Sequence, residues 1–138
     1  MDSAASGGAL ADAGLAPEAI AYLNLHGTGT PLNDAMESAA VARVFREPPP
    51  CSSTKPLVGH TLGAAGAIEA GFCWYALEAA RGDDAMALIP HPYDGVPDPD
   101  IAALPLAGAA ARGPAGPVMS NSFGFGGNNC TLLLGVGH

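Results

Sequence analysis

The sequence predicts a single α/β domain with a mixed sheet and a buried central helix. Helical and strand-like segments alternate along most of the chain, and two strand-like segments joined by a glycine-rich turn lie near its end. Residues 62–80 lack proline, are rich in alanine and are apolar on nearly every side, which is typical of a helix buried all round. The 138 residues are enough for one domain with its own core.

The early elements each have a local signal. A helix over residues 4–13 ends at Gly14, and residues 20–25 form a strand of the buried type. After the second helix, the predicted elements are an extended segment at 51–54, the central helix at 62–80, a strand at 85–89, a long loop at 90–116, and strands at 118–122 and 129–136.

The second helix is predicted over residues 34–45. Asp34 at the N-cap and Glu37 at N3 have the spacing of a capping box, and capping is a sufficient explanation of both carboxylates from the residues alone. The expected buried row of this helix is Met36, Ala40 and Val44.

Charge and composition exclude several classes of partner. With 13 acidic and 5 basic side chains, the chain has no general affinity for nucleic acid or an anionic membrane surface. The low share of charged residues, 13%, indicates that another chain or another copy covers part of the surface. No apolar run resembles a membrane span and no basic secretory leader is visible, which favours the cytoplasm.

The three cysteines are predicted to be reduced thiols, because their number is odd and no C-x-x-C pair occurs. Cys51 follows three prolines and precedes polar residues, so it is the only exposed candidate for a catalytic thiol. Cys73 and Cys130 fall in a predicted helix and strand, where a cysteine usually acts as a small apolar filler.

Two histidines lie where elements meet. His26 ends the first strand before a glycine-rich turn and a helix, an arrangement in which α/β folds place chemistry. His60 immediately precedes the central helix. Both also have a structural explanation, in which His26 caps a strand and His60 is a core residue. His91, between two prolines of the long loop, is predicted to be a surface residue.

Three glycine-punctuated segments follow one another along the chain: HGTGTPLND at 26–34, KPLVGHTLGAAG at 55–66 and NSFGFGGNN at 121–129. Together they resemble the β-ketoacyl-acyl-carrier-protein synthases, the condensing enzymes of fatty-acid and polyketide synthesis, over residues 10–134. The polar details are most similar to stand-alone bacterial type II synthases, with aryl-polyene type pathways as one candidate subgroup. The resemblance implies a thiolase-like fold, layered α/β/α/β/α, in which this chain is the C-terminal half-domain.

The resemblance also implies roles for single residues. His26 and His60 match the two active-site histidines, whose N–H groups would stabilise the enolate left when a malonyl group loses carbon dioxide. Phe125 matches the gate of the acyl pocket, and its backbone N–H would help form an oxyanion hole. The neighbouring glycines that would let this loop move are Gly124, Gly126 and Gly127.

Four polar residues match positions that surround the histidines in this family: Lys55, Asp34, Glu37 and Glu69. We expect a buried Glu69 to pair with a catalytic-site Lys55, with Asp34 and Glu37 close by. Three carboxylates against one ammonium predict a bound monovalent cation or a raised pKa. A metal site built from the two histidines is not expected, because they lie on separate elements without metal-ligand spacing.

The chain departs from the family pattern at the nucleophile. The family's nucleophilic cysteine lies in the first part of a synthase, and none of the three cysteines here aligns with it. We therefore expect residues 1–138 to be the C-terminal synthase domain, lacking the half that carries the nucleophile and inactive alone.

The expected partners follow from that departure. They are an acyl carrier protein, an N-terminal portion or partner chain that supplies the cysteine, and a second subunit in a homo- or heterodimer. Substrates would be carried on phosphopantetheine, with no further cofactor. The alternative is a non-catalytic partner subunit, a chain-length factor or scaffold. Retention of His26, His60, Lys55 and Phe125 favours the enzyme.

Overall fold

A computed structural model describes residues 2–137. The helices are α1 (Asp2–Ala13), α2 (Pro31–Val44), α3 (Lys55–Val58) and α4 (Ala65–Ala79). The strands are β1 (Tyr22–Asn24), β2 (Cys51–Ser52), β3 (Ala85–Ala87), β4 (Arg112–Pro114), β5 (Val118–Phe123) and β6 (Asn129–Leu134). Short 3-10 turns lie at Pro17–Ala19, Leu62–Ala64 and Phe125–Gly127.

The main sheet has the strand order β2-β1-β5-β6. Strand β1 pairs in parallel with both β2 and β5, whereas β6 runs antiparallel to β5 in a hairpin that closes at Phe123 and Asn129. The predicted mixed sheet and final hairpin are therefore confirmed. The predicted loop at 90–116 is wrong in part, because it contains β4, which pairs with β3 in a separate two-stranded sheet.

Helices cover both faces of the main sheet. Successive strand residues point to opposite faces, so Tyr22 and Val118 join the core under α4, whereas Leu23 and Met119 join the core under α1 and α2. Because β1, β2 and β5 are parallel, their carboxyl ends lie at one edge of the sheet. The segments that leave this edge begin at residues 25, 53 and 124, and they carry the predicted site residues.

The central helix is buried along one stripe rather than all round. Its buried residues are Ala65, Glu69, Cys73 and Leu77, spaced at intervals of four along one face. Tyr75 is 74% exposed and Trp74 is 48% exposed, because they lie on the opposite side of α4 from this buried stripe. Within residues 2–137, no helix combines the length and the apolar character needed to cross a membrane.

The start of α2 differs from the prediction. The helix begins at Pro31 with Thr30 as N-cap, because proline fits the first helical position, where no N–H partner is required. Asp34 therefore lies inside the first turn, and the predicted capping box with Glu37 is wrong. The predicted buried row is also wrong in part, because Met36 is 44% exposed, whereas the buried residues are Glu37, Ser38, Ala40 and Val41.

Two of the three cysteine predictions are wrong. Cys51 is buried in β2 beneath α2, and burial raises the pKa of its thiol to about 12. Cys130 is exposed on β6 and is therefore not an apolar filler of the core. Cys73 is buried in α4 as predicted, and all three are free thiols.

Candidate active site

The two predicted histidines lie next to each other. His26 follows the carboxyl end of β1 and is 6% exposed, whereas His60 lies in the exposed link between α3 and α4. Their ring centroids are 5.5 Å apart with the planes at 87°, an edge-to-face arrangement. The Phe123 ring, at the end of β5, lies 5.8 Å from the His26 ring. Residues 34 positions apart in the chain thus meet at one edge of the sheet.

Glu37 holds the backbone at His26. Its two carboxylate oxygens accept the N–H groups of His26 and Gly27, each at 2.8 Å, and Asn121 donates to the same carboxylate at 3.3 Å. Burial raises the pKa of Glu37, and these three donors act against that increase. The carboxylate therefore fixes a turn, which explains its position better than helix capping does.

The turn at Gly27 has no space for a side chain. Gly27 has φ +41°, and a Cβ at this position would lie 2.5 Å from Cβ of Ser53. The Ser53 hydroxyl donates to the Gly27 carbonyl at 2.7 Å. The segments that follow β1 and β2 are thereby held in direct contact.

Lys55 joins the histidine to α4. Its ammonium donates to Glu69 Oε1 and to the backbone carbonyl of His26, both at 2.5 Å, and it lies 3.5 Å from His26 Nδ1. Both members of the ion pair are buried, with 5% of the lysine side chain and 2% of the glutamate side chain exposed. The predicted pairing of Lys55 with Glu69 is confirmed.

Asp34 and Glu37 line the same cavity as Lys55, but their oxygens bond backbone and amide N–H groups rather than the ammonium. Asp34 accepts the Gly29 N–H at 3.3 Å and the Asn33 amide at 3.0 Å, and the oxygens of Glu37 are directed at backbone N–H groups. The pKa of Glu37 is raised mainly by burial, and the charge of Asp34 adds the smallest contribution. Within residues 2–137, no group of three or more His, Cys, Asp or Glu side chains is arranged to hold a metal ion.

Each imidazole has a nitrogen whose role is fixed by a donor. The ammonium of Lys55 faces Nδ1 of His26, and the Leu62 N–H donates to Nδ1 of His60 at 3.2 Å. Because an ammonium and an amide can only donate, both Nδ1 atoms act as acceptors and the ring protons lie on Nε2. Burial, the Lys55 charge and His60 together lower the pKa of His26 to about 4. At neutral pH His26 is therefore an uncharged N–H donor.

The Phe125 loop is exposed. Phe125 opens the 3-10 turn between β5 and β6 with its ring fully exposed, and the Gly124 N–H donates to Asn128 O at 3.0 Å. Gly126 and Gly127 have positive φ angles of 77° and 81°, a conformation that favours glycine. The loop starts beside His26, next to Phe123. Its role as an acyl gate stays a prediction.

A cavity of ≈ 520 Å³ opens beside His60 and Gly27, between α2, the end of β2 and the segment after β3. Lys55, His60 and Thr28 line it, together with His91 and apolar residues such as Leu104. The prediction of a surface role for His91 is wrong, because its ring is half-buried and its Nδ1 accepts the Ser53 N–H at 3.0 Å.

Sequence reasoning missed three residues that organise this site: Ser53, His91 and Asn121. Ser53 directly follows β2, and a position at the carboxyl end of a parallel strand could have indicated it. Asn121 lies within β5, where the strand pattern gives no such signal. Nothing in the sequence predicts His91, because the fold of the long loop decides where its ring lies.

Comparison with known proteins defines the class. The model of the β-ketoacyl synthase C-terminal domain matches residues 2–81, so the chain belongs to the β-ketoacyl synthase family. It is 41% identical to 3-oxoacyl-[acyl-carrier-protein] synthase 2 of Coxiella burnetii over 128 residues, which cover 91% of this chain and 30% of the relative. The chain thus spans about a third of the length of such relatives.

Two solved structures place the chain within the family. A ketosynthase (ApeO) in complex with its chain length factor (ApeC) from Xenorhabdus doucetiae is 48% identical with a TM-score of 0.85, covering 98% of this chain and 33% of that one. The ishigamide ketosynthase/chain length factor is 34% identical with a TM-score of 0.86, covering 99% and 33%. The chain therefore has the thiolase-like ketosynthase fold, as a C-terminal half-domain of the type II kind.

Proposed function

We propose that the chain is the histidine-bearing part of a β-ketoacyl-acyl-carrier-protein synthase and supplies the groups that bind the enolate oxygen in decarboxylative condensation. One observation carries the proposal. His26 and His60 lie 5.5 Å apart, and each has its Nδ1 occupied by a donor, which leaves two Nε2–H groups available for one substrate oxygen.

The chemistry of the proposed step uses these two donors. When a malonyl thioester loses carbon dioxide, the electron pair of the broken carbon–carbon bond moves into the thioester and develops negative charge on its oxygen. Two neutral N–H donors stabilise that oxygen, and burial together with the Lys55 charge keeps His26 unprotonated as the charge forms. The enolate carbon then attacks an acyl group held on a cysteine, and the cysteine leaves as a thiolate.

We further propose that the acyl-carrying cysteine belongs to another segment or another chain. Burial raises the pKa of Cys51 and Cys73 to about 12, the opposite of what a nucleophilic thiol requires. Cys130 is an exposed residue within strand β6 rather than a residue of a helix N-terminus, where a thiolate would be favoured. Residues 1–138 alone would then bind an enolate but take up no acyl group.

Partners follow from the same proposal. Both structural relatives described above are ketosynthases with a chain length factor, which supports a homo- or heterodimer here. The exposed Trp74, Tyr75 and Phe125 support a partner surface over α4 and the hairpin. The acyl groups would arrive on the phosphopantetheine of an acyl carrier protein, in the cytoplasm, without another cofactor. A structural monovalent cation also remains a proposal, for which the unpaired buried Glu69 Oε2 is a candidate ligand.

A second function, a non-catalytic partner subunit, is favoured by the lack of a cysteine suited to nucleophilic attack. Malonyl-carrier decarboxylation separates the two functions. The chain, co-produced with a segment that carries the family cysteine, is expected to decarboxylate malonyl-carrier protein. Replacing His26 or His60 by alanine is expected to reduce the rate by about 10²- to 10³-fold, as for loss of one oxyanion donor.

The matched control is Glu18→Gln. Glu18 is exposed and precedes β1, whereas His26 follows β1, so this change is expected to leave the rate unchanged. Equal rates in the wild type and both histidine variants, or no activity in any assembly, would favour the scaffold function.

A further inference from the structure

The outer edge of β2 carries an interrupted strand ladder. The segment around Leu106 runs parallel to β2, the Cys51 N–H donates to Pro105 O at 3.0 Å, and the Ala107 N–H donates to Cys51 O at 2.9 Å. Bonds in a parallel ladder are evenly spaced, so the next would join the Ser53 N–H to Ala107 O.

His91 takes the place of that next rung. Its own N–H donates to the Ala107 carbonyl at 2.8 Å, and the Ser53 N–H donates instead to Nδ1 of the His91 ring at 3.0 Å. The imidazole thus provides the acceptor that a strand carbonyl would otherwise provide, at the point where strand pairing stops.

Ser53 connects this rung to the turn at Gly27. Its hydroxyl donates to Gly27 O at 2.7 Å and accepts the Lys55 N–H at 3.3 Å. Lys55 in turn holds the His26 carbonyl and Glu69. A shift of Ser53 would therefore move both the Gly27 turn and the ammonium that faces His26 Nδ1.

We propose that His91 is a positioning residue, which fixes Ser53 through its Nδ1 and thereby sets the placement of Lys55 against His26. The proposal rests on the function proposed above only for its effect on turnover. The effect on His26 is a property of the folded protein and can be measured without a substrate.

The proposal requires a neutral His91 ring, because a protonated Nδ1 would direct an N–H at the Ser53 N–H. Burial lowers the pKa of His91, and the Asp34 carboxylate opposes that effect. The other ionisable side chains that line the cavity with His91 are Glu37, Lys55, His60, Tyr93 and Asp98.

The test compares His91→Leu with His91→Asn in the assembly that contains the nucleophile. Asparagine can present its carbonyl oxygen where histidine presents Nδ1, whereas leucine has no acceptor. We expect His91→Leu to lower kcat for malonyl decarboxylation about tenfold, with KM little changed, because one buried hydrogen bond is lost. His91→Asn is expected to restore kcat to within about threefold of the wild type.

The second readout is the NMR titration of His26. We expect His91→Leu to raise the His26 midpoint above its value of about 4, because the ammonium is no longer held against the ring, and His91→Asn to leave it unchanged. An unchanged midpoint in both variants, or equal kcat values for them, would overturn the proposal. If this shift is absent while His26→Ala still reduces turnover about 10²- to 10³-fold, the positioning proposal fails and the proposed function stands.

A third measurement needs no variant and so does not depend on the leucine protein folding. In the wild-type protein, ¹⁵N labelling is expected to give a scalar coupling through the hydrogen bond from the Ser53 amide to His91 Nδ1. Its absence would overturn the proposal, because the bond that carries the positioning would then not form in solution.

Discussion

The two histidines of the site are held very differently. His26 is buried and is fixed by Glu37 at its backbone and by Lys55 at its carbonyl and ring. His60 is exposed, and the contact that orients it is a local one, from the Leu62 N–H two residues away. One imidazole is therefore pre-organised by several elements of this chain, whereas the other is oriented by a contact within its own short link.

The difference follows from the fold. His26 lies at the end of the central strand, where elements on both faces of the sheet converge, and its anchors come from α2, α3 and α4. His60 lies between two short helical segments on the side that this chain leaves uncovered. Breaking the His26 anchors should consequently cost stability as well as activity, whereas changes at His60 should affect activity alone.

The largest effect is expected from Lys55→Met. It leaves the buried Glu69 carboxylate without its partner, which costs about 3–5 kcal/mol for a buried pair. Chemical denaturation of the intact protein measures this, and the double variant Lys55→Met/Glu69→Leu is expected to recover much of the loss. The exposed Arg81–Glu78 pair at the C-terminal end of α4 is the matched control, since Arg81→Met should change stability little. Equal losses at the two pairs would contradict the account.

The next effect is a pH dependence at His26. The unfolded ring binds a proton below pH 6.5, whereas the folded ring stays neutral down to about pH 4. Between those values the unfolded state holds more protons, so the contribution of His26 to stability rises with pH, by on the order of 2 kcal/mol. The difference in unfolding free energy between wild type and His26→Gln, followed from pH 4 to 7, measures it. A pH-independent difference would mean that the folded ring titrates normally.

A smaller effect is expected from Gly27→Ala, about 2 kcal/mol of lost stability, because the new Cβ meets Ser53 and φ is positive. Gly29→Ala is the control in the same turn, since its φ is +74° and no atom lies within 4 Å of the added Cβ. Gly29→Ala should therefore lose only the stability that alanine loses at a positive φ angle. If thermal unfolding shows the two variants to be equally destabilised, the close approach of Ser53 is not a constraint.

Much of the fold could be predicted from local signals. Gly14 ends α1, the run at 118–134 forms the hairpin, and the alanine-rich segment forms α4, because each depends on propensity or turn chemistry. The extent to which α4 is buried could not be predicted correctly. An apolar face favours burial, but the sequence does not show which element covers it. The start of α2 differs from the prediction because Pro31 takes the first helical position, whereas the capping-box spacing of Asp34 and Glu37 indicates a later start.

The site was predicted in its residues but only partly in its connections. The pair of Lys55 with Glu69 follows from the cost of burying one charge, and this reasoning transfers from sequence to structure. The roles of Glu37 and His91 could not be predicted in this way, because each side chain accepts a backbone N–H whose position is set by the tertiary fold. Side-chain partners can be inferred from charge, but backbone partners require the register of the strands.

The tautomers of the two histidines test the central claim most directly. ¹⁵N chemical shifts of the His26 and His60 ring nitrogens at pH 7, in the assembled protein, report which nitrogen carries the proton. The account predicts that both rings carry it on Nε2, with both Nδ1 atoms acting as acceptors from Lys55 and Leu62. A proton on Nδ1 of either ring would leave that imidazole unable to donate from Nε2, and would contradict the claim that both histidines stabilise one enolate oxygen.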